Sequence, residues 1–219
     1  MHQRIKILKA CNVAQGSTID TTHNAFTLSY VNGAIQDALN QSKNTKIVFL
    51  GDIVDNAYLK EKDMQSFIDL LNTYQDVEKI IILGNHDTSS VIPDNKLKYS
   101  SLKHITNHVN LTLITDFEIE VQDTTVLVYW SYAQKKDMYE KLHLIFNEVF
   151  KITKTTCILN IILMTHNNIY LTDTFLKQQM FPVSLILKMM EEAHIDIDIN
   201  LMIINGHIHA THYEKIHKY

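Results

Sequence analysis

Three short polar clusters carry the residue types that could bind metal ions beside a phosphate group. Each begins with glycine: Gly-Asp-Ile-Val-Asp at residues 51–55, Gly-Asn-His-Asp at 84–87 and Gly-His-Ile-His at 206–209. Each follows a short apolar, β-branched run, at residues 46–50, 80–83 and 201–204. Carboxylate, amide and imidazole groups just beyond strand ends can bind two cations, and glycine permits the sharp turns there. The pattern therefore predicts a two-metal site for phosphoester chemistry.

The clusters also suggest individual metal ligands. Asp52 is the natural bridging ligand, because its two carboxylate oxygens could hold two cations about 4 Å apart. Asn85 offers a neutral oxygen, whereas His207 and His209 alternate along an extended backbone and so share one face. A further histidine should follow a strand between the second and third clusters. His166 meets that requirement, because an apolar run leads directly into it.

Two further residues are predicted to act in catalysis. His86 lies beside a ligand but can point at the scissile phosphate, which suits a general acid or a group that stabilises developing charge. Asp55 is close enough in its loop to accept the other ring N–H of His86 and fix its tautomer. Simpler explanations remain for single residues: the aspartates could form turns or helix caps, and the histidines could be surface or strand-end residues. The three clusters together favour the site.

Apolar periodicity predicts the scaffold that positions these clusters. Strands and helices alternate in the first half, which indicates βαβ units and a largely parallel sheet. Runs 111–114, 117–121 and 126–130 are expected to form antiparallel strands of a second sheet, the last two joined by a turn at 122–124. The predicted fold is α/β, with two mixed sheets packed face to face and helices outside, in four layers. The remaining predicted strands are 5–8, 47–50, 80–83, 157–164 and 201–204, and the predicted helices are 24–40, 60–74, 136–150 and 183–193.

Length, charge and composition narrow the class of protein. The 219 residues suit a single domain over 1–219, and a fold of this size needs no disulfides, so the two cysteines are expected to be unpaired thiols. A net charge of −4 with one arginine, Arg4, argues against a broad basic surface for nucleic acid. No apolar run is long enough for a membrane span, which favours a cytoplasmic protein. Abundant Ile, Asn and Lys are typical of an AT-rich genome, such as that of a phage.

The clusters resemble those of the calcineurin-like metallophosphoesterases, and among these the SbcD-type nuclease subunits of recombination and double-strand-break repair. The spacing between Asp52, Asn85, His166 and the pair His207 and His209 is similar to the spacing in that subgroup. Protein phosphatases of the same superfamily carry an arginine and a glutamate where this chain has Asn56 and Asp87, which favours phosphodiester substrates. The resemblance implies two divalent metal ions, Mn²⁺ or alternatively Mg²⁺, with DNA as the substrate.

The same resemblance implies how the ligands divide between the ions. One ion would be held by four side chains, those of Asp52, Asn85, His166 and His207. The second would be shared by Asp52 and His209 with an Asp-x-His pair, at whose positions this chain has Asn12 and Ala14. Because Asn12 offers no charge and Ala14 offers no ligand, we expect weak occupancy of the second position and impaired activity.

The resemblance also implies partners that this sequence has little room to bind. SbcD-type subunits carry a DNA-contacting cap domain and a tether to an SbcC-type ATPase beyond the phosphoesterase core. Only ten residues follow His209, so a truncated or minimal form without these parts is expected, and a homodimer stays open. Two alternative functions remain: a non-catalytic binding module, favoured by Asn12 and Ala14, and a phosphodiesterase for small nucleotides, which the lack of a cap would suit.

Overall fold

The computed structural model describes residues 4–8, 21–42, 45–54, 61–88, 101–170, 181–196 and 198–207. Four residues predicted for the site lie outside these ranges: Asn12, Ala14, Asp55 and His209. The roles assigned to these four residues therefore stay predictions. The other five, Asp52, Asn85, His86, His166 and His207, all lie within the described ranges.

The first sheet contains four parallel strands in chain order. These are β1 Arg4–Leu8, β2 Thr45–Leu50, β3 Glu78–Ile82 and β4 Thr112–Ile114. Helices α1 Thr21–Gln41, α2 Glu61–Thr73 and α3 Ser101–Ile105 occur between successive strands. All six residues of β2 are buried, as expected for a parallel strand covered on both faces. The predicted βαβ alternation is confirmed.

The assignment of residues 111–114 to the second sheet is wrong. Residues 112–114 form β4, which pairs in parallel with β3 at the edge of the first sheet. The short helix α3, which the sequence analysis does not predict, lies between β3 and β4. A crossover of this kind brings the chain back in the same direction, whereas a hairpin would reverse it.

The second sheet has the strand order β10-β7-β6-β5. Its strands are β5 Phe117–Gln122, β6 Thr125–Trp130, β7 Asn160–Thr165 and β10 Asn200–Asn205, with α4 Lys135–Thr155 and α5 Val183–Glu192 between them in the chain. The antiparallel β5–β6 hairpin is confirmed, and β6, β7 and β10 run parallel. A small pair that was not predicted, β8 Ile169–Tyr170 and β9 Phe181–Pro182, forms a third sheet. The predicted strand at 157–164 begins only at Asn160, and Cys157 is a free, exposed thiol.

Three apolar clusters hold the layers together. One lies between the two sheets and consists of Val48, Leu50, Ile80, Ile82, Ile114, Leu127, Tyr129 and Met164. A second packs α1, α2 and α3 against the first sheet, and a third packs α4 and α5 against the second. The predicted arrangement of two face-to-face sheets with helices outside is confirmed. Within the described ranges, no helix is both long enough and apolar enough to cross a membrane.

The polar clusters all follow strand ends on one side of this layered structure. Asp52 comes after β2, residues 84–87 after β3, His166 after β7 and His207 after β10. The two sheets are joined there by a backbone hydrogen bond of 2.8 Å from Tyr132 N–H to the Leu83 carbonyl. Residues from opposite halves of the chain therefore meet at the carboxyl ends of parallel strands.

Candidate metal centre

Three of the predicted ligands converge at this edge. One ligand atom each from Asp52, His166 and His207 lies within 4.8 Å of the other two, and the three residues follow three different strands. His166 is central, since its Nε2 atom lies 2.9 Å from Asp52 Oδ2 and 3.3 Å from His207 Nδ1. This spacing allows all three side chains to bind one cation.

The hydrogen bonds of His166 show that its Nε2 atom needs a proton or a metal ion beside it. Its other ring nitrogen, Nδ1, lies 2.5 Å from the Leu50 carbonyl oxygen, which can only accept, so the Nδ1 atom carries a proton. The Nε2 atom of a neutral ring would then present its lone pair to the Asp52 carboxylate, and two acceptors would repel each other. Either a proton or a metal ion on Nε2 removes this repulsion. Because His166 is buried, the contact cannot be relieved by water.

Asp52 sits on an unusual backbone that turns its carboxylate into the cluster. Gly51 and Asp52 both have positive φ, at 75° and 51°. Left-handed geometry favours glycine and is tolerated by aspartate, so Gly51 begins the turn that Asp52 completes. Asp52 Oδ1 accepts the backbone N–H of His86 at 3.0 Å. Burial raises the pKa of Asp52, but the hydrogen bonds and charge interactions with His166 and His86 outweigh it and hold that pKa below its ordinary value.

Asn85 supplies an independent sign that the cluster binds a cation. Its Oδ1 atom is buried and has no hydrogen-bond partner, one of two such side-chain atoms in the described part of the chain. A buried acceptor without a partner is costly, and a metal ion would satisfy it. Asn85 follows Gly84, where any Cβ atom would overlap the Asp52 backbone nitrogen and carboxylate. Only glycine permits this close approach of the two loops.

His86 lies beside the cluster with its side chain exposed. The structure shows its backbone N–H bound to Asp52, a contact that the sequence analysis did not anticipate. Its predicted partner Asp55 lies outside the described residues, so the proposed tautomer-fixing pair stays a prediction.

Asp87 organises the site, although the sequence analysis used it only to exclude phosphatases. It is completely buried, and its two oxygens accept the backbone N–H groups of Val54 at 3.0 Å and Gly84 at 2.8 Å. These contacts tie the loop after β2 to the loop after β3. Burial raises the pKa of Asp87 to about 6, while the two N–H donors oppose that rise. Its place directly after His86 in a glycine-led turn was the available signal.

The residues that are present fit a divalent cation. A carboxylate, an amide oxygen and two imidazole nitrogens form a mixed set of oxygen and nitrogen donors of the kind that first-row divalent metals accept. Asp52, Asn85, His166 and His207 would hold it. The second predicted position depends on Asn12, Ala14 and His209, outside the described residues, so its occupancy stays a prediction.

Comparison with known proteins shows the family of the chain. Residues 22–211 match the family model of the calcineurin-like phosphoesterases. A solved protein of unknown function from Aquifex aeolicus is 12% identical, with a TM-score of 0.40, over 94% of this chain and 90% of its own. No curated protein matches the sequence. Because the family model spans most of the chain, this protein belongs to the calcineurin-like phosphoesterase family.

Proposed function

We propose that this protein hydrolyses phosphodiester bonds, with DNA as its substrate and manganese or magnesium as its metal. The observation that carries the proposal is the convergence of Asp52, His166 and His207 beside the unpartnered oxygen of Asn85. A divalent ion held there would neutralise phosphate charge and lower the pKa of the attacking water. The family supplies the general chemistry, since its members are phosphoesterases.

The chain's own groups prepare the ligands for this task. The Leu50 carbonyl fixes the His166 ring so that Nε2 faces the cluster, and the His86 N–H orients the Asp52 carboxylate. Preformed ligands reduce the reorganisation needed when a cation binds. We assign the exposed His86 ring to the phosphate itself, as a general acid or as a donor to its oxygens.

Support for a diester comes from two positions. Asn56 and Asp87 stand where the protein phosphatases carry an arginine and a glutamate. Asp87 is completely buried and uses both oxygens on backbone N–H groups, so it is not available to a phosphoprotein substrate. The choice of DNA rests on the similarity of the ligand spacing to the SbcD-type nucleases. With a net charge of −4, the chain would rely on metal ions to attract a polyanion.

A non-catalytic binding module is the second candidate function. The observation that favours it is the presence of Asn12 and Ala14 where the resemblance places an aspartate and a histidine. Loss of these two ligands would leave one ion to activate water and neutralise the phosphate, which weakens both effects.

The deciding experiment measures hydrolysis of single- and double-stranded DNA with Mn²⁺ or Mg²⁺. It compares the natural chain with a variant that carries Asn12→Asp and Ala14→His together. We expect weak cutting by the natural chain and a gain in the double variant. The charge-matched control is Asn200→Asp, at the exposed start of β10. If neither chain cuts DNA but both cleave a small diester, the substrate is a small nucleotide; if neither cleaves any diester, the binding module replaces our proposal.

Asp52→Asn tests whether the observed cluster performs the chemistry. The change preserves side-chain shape but removes the only carboxylate among the converging ligand atoms. We expect hydrolysis to fall by about a hundredfold or more, because a hard cation depends on anionic oxygen. Asp198→Asn removes an exposed carboxylate that precedes β10, at the opposite end of this strand from His207, and should leave the rate unchanged. Equal rates for the two variants would place the active site elsewhere.

A further inference from the structure

Two asparagines lie directly behind the converging histidines. Asn205 is the last residue of β10, and its Oδ1 atom accepts the His207 backbone N–H at 3.0 Å. Its Nδ2 atom donates to the Asn167 carbonyl at 2.7 Å. Asn167 immediately follows His166, so the Asn205 side chain connects the two segments that carry the histidine ligands.

The Asn167 side chain is buried and fully committed to hydrogen bonds. Its Oδ1 atom accepts the Ala133 N–H at 2.7 Å, and its Nδ2 atom donates to the Ser131 carbonyl at 2.9 Å and to Thr165 Oγ1 at 2.7 Å. Its exposed fraction is 0%. An amide with every partner in place inside a low-dielectric interior fixes its neighbours firmly. The segment after β7 is therefore held against the segment after β6.

Ser131 extends this connection into the first sheet. Its hydroxyl donates to the Ile114 carbonyl at 2.5 Å and accepts the Leu83 N–H at 3.0 Å. Leu83 precedes the Gly84-Asn85 turn, which carries the unpartnered amide oxygen. A continuous path of side-chain hydrogen bonds thus leads from His207 to the residues just before Asn85.

We propose that Asn205 and Asn167 are positioning residues that set the spacing of the His207 and His166 ligand atoms for a divalent cation. The inference rests on the proposed metal-dependent function. Both asparagine side chains use their polar atoms in the hydrogen bonds given above. The Asn205 side chain binds the His207 N–H and the Asn167 carbonyl, and the Asn167 side chain binds the hydroxyl of Thr165, just before His166. Metal sites tolerate ligand displacements of only about 0.2 Å, so a loosened backbone at His207 lowers affinity.

The opposite end of the same two strands provides an internal contrast. Asn200, the first residue of β10, also donates to the neighbouring strand, to Asn160 Oδ1 at 3.2 Å and to the Leu159 carbonyl at 3.4 Å. Asn200 is exposed, and its bonds are longer than those of Asn205. Asn200 and Asn205 therefore share residue type, strand and neighbour, and differ in their distance from the ligands.

The test compares Asn205→Ala with Asn200→Ala in the full chain. Titration calorimetry measures Mn²⁺ affinity, and urea unfolding in the presence of a chelator measures metal-free stability. We expect Asn205→Ala to weaken Mn²⁺ binding by about tenfold, the usual cost of losing a group that orients a ligand. Asn200→Ala should bind like the natural chain, while both variants unfold at similar urea concentrations.

Asn205→Ser keeps the test decisive if the alanine variant does not fold. A serine hydroxyl can still accept the His207 N–H but is too short to replace the amide donor to Asn167, so we expect intermediate Mn²⁺ affinity. Natural affinity in both Asn205 variants would overturn the inference while leaving the proposed function intact. A natural chain that binds no Mn²⁺ or Mg²⁺ would overturn the proposed function and this inference with it.

Discussion

The two ends of strand β2 lie in polar clusters that differ in the source of positive charge for their acidic groups. At the amino end, Lys46 is 2% exposed, and its Nζ atom binds Glu120 at 2.5 Å and Glu78 at 2.9 Å. Tyr129 donates its hydroxyl to the same Glu120 oxygen at 3.0 Å. This end therefore contains its own cation, covalently attached to the chain.

At the carboxyl end, the described residues provide converging ligand atoms for a cation, and none of those ligand residues is a lysine or an arginine. Asp52, His166 and His207 turn acceptor atoms toward one another, and Asn85 Oδ1 has no hydrogen-bond partner. A polar cluster whose members are all paired contributes to structure, whereas a buried acceptor without a partner, such as Asn85 Oδ1, indicates binding. The contrast favours a structural role for the amino end of β2 and supports our proposal that the carboxyl end binds a metal ion.

The largest loss of stability should follow when the loop after β2 and the loop after β3 are forced apart. A Cβ atom in Gly84→Ala would overlap the Asp52 backbone, which no change of rotamer can relieve. We expect a loss of about 3 kcal/mol in the free energy of unfolding, together with loss of Mn²⁺ binding. Gly33→Ala is the matched control, because nothing lies within 4 Å of its added Cβ in helix α1. That change should stabilise by about 1 kcal/mol. Equal effects in urea unfolding would show that the close approach at Gly84 is unimportant.

Added metal should stabilise the protein through the carboxyl end alone. At a free Mn²⁺ concentration of a hundred times Kd, we expect a gain of about 2.7 kcal/mol in the free energy of unfolding. Asp52→Asn should abolish this gain, since it removes the carboxylate that faces His166. Lys46→Met should keep it in full, because Lys46 lies at the other end of β2. Thermal unfolding with and without Mn²⁺ measures the difference, and a reduced gain in Lys46→Met would contradict the separation of the two ends.

Much of the carboxyl end could be predicted from the sequence because its signals are local. A β-branched run followed by glycine and a polar residue fixes both a strand and its end, so Asp52, His166 and His207 could be placed on one edge. The amino end could not be predicted in this way. Lys46 looks like an exposed residue at a strand start, and its partner Glu120 lies 74 positions further along the chain. Its burial depends on how the two sheets pack, which no short pattern contains.

The sheet of β4 and the buried roles of Ser131 and Asn167 were missed because they also depend on long-range packing. A three-residue strand such as β4 carries too little alternation to indicate its sheet. Buried hydrogen-bonding residues such as Ser131 and Asn167 are polar by type, so composition suggests that they are exposed. Their hydrogen bonds join the carboxyl ends of five strands, β3, β4, β6, β7 and β10, and only the assembled sheets bring these together.

Substitution of Lys46 should lower the free energy of unfolding by a moderate amount. Lys46→Met fills similar volume but leaves Glu78 and Glu120 without their cation. Because Glu78 is 47% and Glu120 36% exposed, both can turn toward water, so we expect a loss of about 2 kcal/mol, less than for a fully buried pair. Lys188→Met is the control, since its pair with Glu192 is exposed and should cost less than about 0.5 kcal/mol. Equal urea midpoints for the two variants would show that the amino-end cluster adds nothing.

The smallest effect should appear as a pH dependence confined to the amino end. Burial lowers the pKa of Lys46, but its bonds to Glu120 and Glu78 outweigh this and raise that pKa above 10.5. Burial and the charge of Glu120 raise the pKa of Tyr129 above 10.0. In both cases the folded chain holds its proton more tightly than the unfolded chain. The stability that they contribute is therefore present below about pH 10 and falls as the pH rises further.

Urea unfolding between pH 8 and 11, with a chelator present, measures this dependence. We expect the natural chain to lose stability more steeply above pH 10 than a variant with Lys46→Met and Tyr129→Phe. Lys79 titrates in the opposite sense, because burial lowers its pKa, but it is common to both chains and cancels in their difference. Parallel pH profiles would mean that Lys46 and Tyr129 titrate alike in the folded and unfolded chains. In that case the polar cluster at the amino end of β2 would contribute no pH-dependent stability.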